Sequence, residues 1–267
     1  LDFDRKTARR AVRYFLLMPF ALSLMGTVPD GLFLLFSILT LILLRKKKFA
    51  LANMFAMLAV LTHALGVLLL VPVLASYISY LIGNVRKNRV TGKGYALRQV
   101  FNTLSVLLIP IGVGLVMLYS YLKFGDALQL YGHMLGTSGI GMNGLFRFSD
   151  EAFSALRYVG ESSLAVFAAT YLPQFAYLIF GLVMLLLASN AVPTAFTLLM
   201  AVTLPLIAAT GHISASARII TMTAPFCITL AVRVKKRVTD AIVTVLLFAL
   251  WVAYFFAFIA GYTGEII

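Results

Sequence analysis

Residues 100–122 read VFNTLSVLLIPIGVGLVMLYSYL, an uncharged stretch running from Val100 to Leu122. About 20 predominantly apolar residues carry an α-helix across the hydrocarbon core of a bilayer. Within such a helix every backbone N–H and C=O can be bonded without water. The stretch is therefore expected to span a membrane. The pattern repeats on both sides of it, as apolar runs at Tyr14–Met25, Leu32–Leu44, Phe49–Leu61, Gly66–Gly83, Ser163–Leu187, Thr194–Thr210, Ile219–Val232 and Val238–Ala260. The fold class expected is all-α, a polytopic integral membrane helix bundle of about nine helical segments, several of them shorter than a perpendicular span needs. Residues 1–267 read as a single transmembrane domain, with one extended polar region, 123–162, as a loop on its outer face.

Composition agrees. The chain is 62% hydrophobic and 12% charged, with mean hydropathy +1.00. A soluble domain is nearer 45–50% apolar and about 25% charged. The net charge of +13 does not point to nucleic acid, because the basic residues sit in short blocks between apolar runs. Blocks 1–13, 45–48, 84–98 and 233–237 hold eighteen of the 22 Lys and Arg. Alternating spans put all four on one side, which the positive-inside bias makes cytoplasmic. Residues 1–13 are then inside and the C-terminus outside, in a bacterial cell membrane, or in the endoplasmic reticulum membrane of a eukaryote. The three histidines and most carboxylates fall on the outer face. The chain starts at Leu1 rather than Met, and an N-terminal part is expected to precede it.

Three features bring polar chemistry to that face. Pro29-Asp30-Gly31 separates two short apolar runs, and Thr62-His63 interrupts a helix at similar depth. The third is Gly211-His212-Ile213-Ser214-Ala215-Ser216-Ala217-Arg218, a small polar patch ending in one arginine. A lone Arg in hydrocarbon costs about 2.5–3.5 kcal/mol at a helix centre on insertion scales, so it usually faces a cavity, a partner or an anion. A carboxylate, an imidazole and a guanidinium suit a phosphate-bearing substrate, with Arg218 gripping phosphate and His63 or Asp30 moving a proton. Ser214 and Ser216 leave room for such a ligand beside Arg218. Each residue also has a structural reading: Asp30 as a helix cap, His63 as a buried hydrogen-bond partner, Arg218 as a snorkelling or ion-paired side chain. Asp126, His133 and His212 are further outer-face candidates.

Other chemistries lack their signals. The single cysteine, Cys227, permits no internal disulfide, and no zinc-type spacing occurs. There is no Walker motif, and the four glycines of 136–144 follow no strand. No metal or cofactor is expected. Residues 146–158 have apolar and aromatic side chains at helical spacing and read as an interfacial amphipathic helix.

The order of these features resembles a known family. Arg9-Arg10-Ala11-Val12-Arg13-Tyr14 with Pro19-Phe20, then Asp30-Gly31-Leu32-Phe33-Leu34-Leu35, is similar to the PIG-V-like mannosyltransferases, multi-pass enzymes of the GT-C glycosyltransferase class. The similarity continues through Leu51-Ala52 to the stretch from Ala59 to Leu69. It returns at Tyr121 to Leu128, and again from Ser216-Ala217-Arg218-Ile219 to Pro225-Phe226. The family commonly has Glu-Ser at Asp30-Gly31, Thr-Arg at Thr62-His63, and Pro at Ala217. The resemblance implies a GT-C-like fold. It also implies transfer of a sugar, mannose in the family, from a polyprenyl-phosphate donor to a lipid-linked or envelope acceptor. An acceptor hydroxyl would attack the anomeric carbon as the lipid phosphate leaves. Arg218, with Ser214 and Ser216, would hold the phosphate, a cationic His63 would assist, and Asp30 would orient the acceptor. The principal base would lie upstream of Leu1. Partners implied are the donor lipid, the acceptor, membrane lipids and a possible partner subunit. Two rivals stay open: a lipid or solute transporter, and a non-catalytic subunit of a glycosyltransferase. Against a proton-coupled transporter, the span interiors carry no acidic residue.

Overall fold

The computed structural model describes residues 3–21, 29–86, 93–135, 153, 164–210 and 216–259. Helix is the only regular structure among them. Four segments are long and apolar enough to cross a membrane: Ala64–Asn84, Gln99–Phe124, Tyr171–Ala188 and Arg237–Ala257. The described residues group into two compact units, Pro29–Ser138 with Thr194–Val202, and Leu1–Val28 with Gly139–Pro193 and Thr203–Ile267.

The unit from Pro29 to Ser138 is built on a helical hairpin, α2 (Asp30–Arg45) and α3 (Phe49–Thr62). Its two arms approach closely because α3 presents Ala52, Ala56 and Ala59, all fully buried, as a stripe of small side chains. Phe33, Leu41 and Leu44 of α2 are buried in the same unit, and the Thr40 hydroxyl donates to Phe36 O. The hairpin turns at Lys46-Lys47-Lys48. Lys47 adopts a left-handed φ of 56°, and the Lys47 and Lys48 N–H groups return to Leu44 O and Leu43 O. That pairing is a Schellman cap, which normally carries glycine at the left-handed position.

After α3 the chain passes through extended His63 into a 3-10 helix, Ala64–Leu69, and then α4, Leu70–Arg86. α5 (Lys93–Val106) and α6 (Leu108–Phe124) form one long span with an interruption at Leu107. Pro110 lacks the N–H that would bond Val106 O, which explains a break in that turn. Asn53 on α3 donates to the Ser105 hydroxyl at 2.7 Å, and Ser105 donates to Asn102 O at 2.7 Å. α6 ends at Gly125, whose φ of +78° and N–H to Tyr121 O close the helix; α7 (Gln129–Leu135) follows.

In the other unit, α1 (Arg5–Leu16) docks on α11 (Pro225–Arg233) and the start of α12 (Arg237–Ile259). Tyr14, Ala231, Val234 and Leu247 form the contact core. Arg10 donates to Val234 O, and Arg13 ion-pairs with Asp240. The Tyr14 hydroxyl donates to Asp240 Oδ1 at 2.6 Å. Burial, followed by this bond to a carboxylate, raises the Tyr14 phenol to about 12. Arg233 donates to Leu187 O and Ser189 O, neutralising the carbonyl end of α8 (Leu164–Ala188).

Most apolar runs become helices within a residue or two of the expected ends, and Thr194–Thr210 forms α9 with the expected ends unchanged. Three expectations change. The charged lead-in of residues 1–13 and the run from Tyr14 are one amphipathic helix, α1, which ends at Leu16 instead of running on to Met25. Ile219–Val232 is two short helices, α10 (Ser216–Met222) and α11, because Pro225 cannot continue the first. The described elements outnumber the nine segments expected, since kinks subdivide the runs. The interfacial helix expected at 146–158 and the glycine loop of 136–144 lie outside the described residues, Phe153 excepted.

Candidate functional site

Asp30 and His63 come together inside the hairpin unit. Asp30 is the first residue of α2, preceded by Pro29 in the cap position. Its carboxylate therefore meets the positive end of the helix dipole. It is 0% exposed, and His63, at the other end of the hairpin's second arm, is 2% exposed. Their closest atoms, His63 Nε2 and Asp30 Oδ1, are 3.9 Å apart. That is longer than a direct hydrogen bond, which closes at about 2.7–3.2 Å. Phe33, one helical turn after Asp30, packs its ring 5.5 Å from the imidazole.

The imidazole is held by its own backbone. His63 is the residue between α3 and the 3-10 helix, and its Nδ1 accepts the Leu65 N–H at 3.1 Å. An Nδ1 that accepts cannot carry a proton, so the proton of the neutral ring is on Nε2, the nitrogen nearest Asp30. The arrangement presents a donor toward a carboxylate. A cationic His63, as the family resemblance implies, would have to give up the bond from Leu65. Gly66 makes the turn possible, because a Cβ there would lie 2.5 Å from Ala59 C and Val60 Cα and closer still to Val60 N.

Ser216 and Arg218 belong to the other unit, on α10. Ser216 is fully buried, and its hydroxyl donates to both Gln174 O and Gln174 Oε1 at 3.1 Å. The Ala217 N–H donates to Gln174 Oε1 at 2.9 Å. The carboxamide oxygen thus caps the first turn of α10 from a neighbouring helix, the role a local Ser or Asp would normally fill. The Ser216 hydroxyl is spent on this contact. Arg218 is partly buried two residues further on. Gln174 is the residue that sequence reasoning missed. The available signal was an amide directly after Pro173 in an otherwise apolar run.

Asp126 is exposed, and its carboxylate accepts the Leu128 N–H at 2.9 Å, a local turn contact. His133 lies on α7, its side chain outside the described set, and His212 and Ser214 lie outside the described residues altogether. Among the described residues no group of three His, Cys, Asp or Glu side chains is placed to hold a metal. Cys227 is buried, with its thiol 3.6 Å from Met18 Sδ. No protein-family model, curated protein or solved structure matches this chain.

Proposed function

We propose that this chain works as part of a membrane glycosyltransferase, moving a sugar from a polyprenyl-phosphate donor to a lipid-linked or envelope acceptor. The observation that carries the reading is the buried Asp30–His63 pair. Ionisable groups are expensive in such surroundings, and they mark functional sites by default. The sequence resemblance from Arg9 to Phe226 supplies the reaction class and the sugar, mannose. In this reading Asp30 accepts a hydrogen bond from the acceptor hydroxyl and orients it for attack on the anomeric carbon. The Nε2–H of His63 faces that carboxylate across 3.9 Å and favours its orientation toward the acceptor electrostatically. The face on which this happens is the outer one, by the distribution of basic blocks.

The test is transfer of labelled mannose from polyprenyl-phosphate mannose into extractable glycolipid, in vesicles carrying the product of the complete gene. Asp30→Asn and His63→Gln should each lower turnover by about 100-fold, the scale on which a misplaced acceptor slows a reaction that depends on alignment. Protein abundance should stay normal. Transfer that is unchanged in both variants would refute the proposal. Vesicles that transfer nothing but exchange labelled lipid or solute, with the same two residues required, would favour the transporter.

A further inference from the structure

A second polar feature lies away from Asp30 and His63 and does not depend on the reading above. Where the basic turn of the α2–α3 hairpin meets the last turns of α4, the chain leaves a cavity of about 310 Å³. Arg45, Lys47, Ser76, Ser79, Tyr80 and Asn84 contribute to its wall, and no carboxylate is among its described lining residues. The volume is at the lower end for small-molecule sites, enough for a headgroup and too small for a whole lipid.

The lining follows helical spacing. Ser76, Ser79, Tyr80 and Gly83 recur at three- and four-residue intervals on α4 and so share one face. The opposite face of the same helix exposes Leu74, Ile78 and Ile82, apolar side chains suited to a span at the lipid boundary. The cavity sits at the Asn84 end of the candidate span Ala64–Asn84, the depth of a lipid headgroup.

Two observations point to an anion. Asn84 lines the cavity, and its Nδ2 is buried with no hydrogen-bond partner among the described residues. Lys47 occupies a left-handed position where glycine costs nothing, and its ammonium lies 5.8 Å from the centre of the Tyr80 ring. A strained residue kept at such a place is a pointer to function. The carbonyls at the end of α2 would repel an anion, but Leu43 O and Leu44 O already accept N–H groups from the lysine turn.

We propose that this cavity binds the phosphate of an anionic phospholipid headgroup. Arg45 and Lys47 neutralise the charge, Ser76 and Ser79 donate hydroxyls, and Asn84 donates its amide.

Native mass spectrometry of the detergent-purified full chain tests this, with equal amounts of phosphatidylglycerol and phosphatidylcholine of the same acyl chains. The parent should retain phosphatidylglycerol preferentially. Arg45→Gln and Lys47→Asn should each weaken that retention about fivefold, near 1 kcal/mol per cation at an anionic surface. Asn tolerates the left-handed backbone, so the second variant keeps the turn. Gly83→Leu should also abolish the preference with net charge unchanged, since a Cβ there meets nothing within 4 Å and the fold has room for it. Lys235→Gln, which removes a cation elsewhere in the chain, should have no effect. Equal retention of the two lipids would overturn the proposal. So would a Lys235→Gln effect as large as that of Lys47→Asn, or complete displacement of the lipid by inorganic phosphate, which would make the site one for a free anion.

Discussion

Gly66→Ala sets two effects against each other at the turn that carries His63. In favour of alanine, the substitution removes backbone freedom from the unfolded chain and raises helix propensity, together about 0.5–1 kcal/mol. Against it, the new Cβ would lie 2.5 Å from Ala59 C and Val60 Cα, where ordinary contact begins near 3.4 Å. The obstacle is main chain within α3, so no side-chain rotation relieves it. The 3-10 helix must move off α3 by roughly 1 Å, and overpacking of this kind costs about 1–3 kcal/mol. Against main chain at 2.5 Å the upper half of that range applies, about 2–3 kcal/mol, so the clash wins by about 1–2.5 kcal/mol, a fall in Tm of about 2–10 °C at the usual conversion for a domain of this size. Gly114→Ala on α6 is the matched control, because a Cβ there meets nothing within 4 Å; it should leave Tm unchanged or raise it. Stability of this unit is read in detergent from the heating curve of a fluorogenic maleimide at Ala56→Cys, a fully buried position, in a Cys227→Ser background. The same displacement shifts the His63 ring against Asp30, so under the proposed function sugar transfer should fall more than the melting curve alone accounts for. A Tm for Gly66→Ala equal to or above the parent would refute the steric argument.

Three other predictions concern separate parts of the chain. Tyr14→Phe keeps the buried ring and removes a bond to Asp240 that solvent partly screens; it should cost about 1 kcal/mol, seen as earlier labelling of Cys227 on heating. Because the folded phenol is raised to about 12 from an unfolded value of 10, its stabilisation is complete below pH 10 and lost as pH climbs through 12. Parent and Tyr14→Phe melting curves should therefore converge over that window and stay parallel from pH 7 to 9. Arg218→Lys preserves charge but not the guanidinium fork, so donor-lipid binding should drop about tenfold at normal abundance if Arg218 grips phosphate; equal binding would remove it from the site. Finally, in the Cys227→Ser background, a cysteine at Ser138 should react with an impermeant maleimide in intact cells, and one at Asn88 only after permeabilisation. The reverse pattern would invert the proposed orientation.

Hydropathy decided the spans because a helix in hydrocarbon must satisfy its backbone within one continuous segment, which makes the requirement local to the sequence. Val100–Leu122 falls inside the span Gln99–Phe124, and Val238–Ala260 differs from α12 by one residue at each end. The turn after α6 is local too, since Gly125 and Asp126 supply its chemistry themselves. Of the candidate site, the residue types of Asp30, His63 and Arg218 stood out as polar groups in apolar surroundings. Their partners did not. The Leu65 N–H that sets the His63 tautomer depends on an extended residue between two helices, and Gly66 owes its necessity to the backbone of Ala59 and Val60. Gln174 caps α10 from 42 residues away, and Tyr14 reaches Asp240 across 226. Pairings at that separation are set by which helix faces meet when the chain folds back on itself. Periodicity along one segment carries no record of that, so the sequence determined where the helices are and the tertiary structure alone decided which polar groups they bring together.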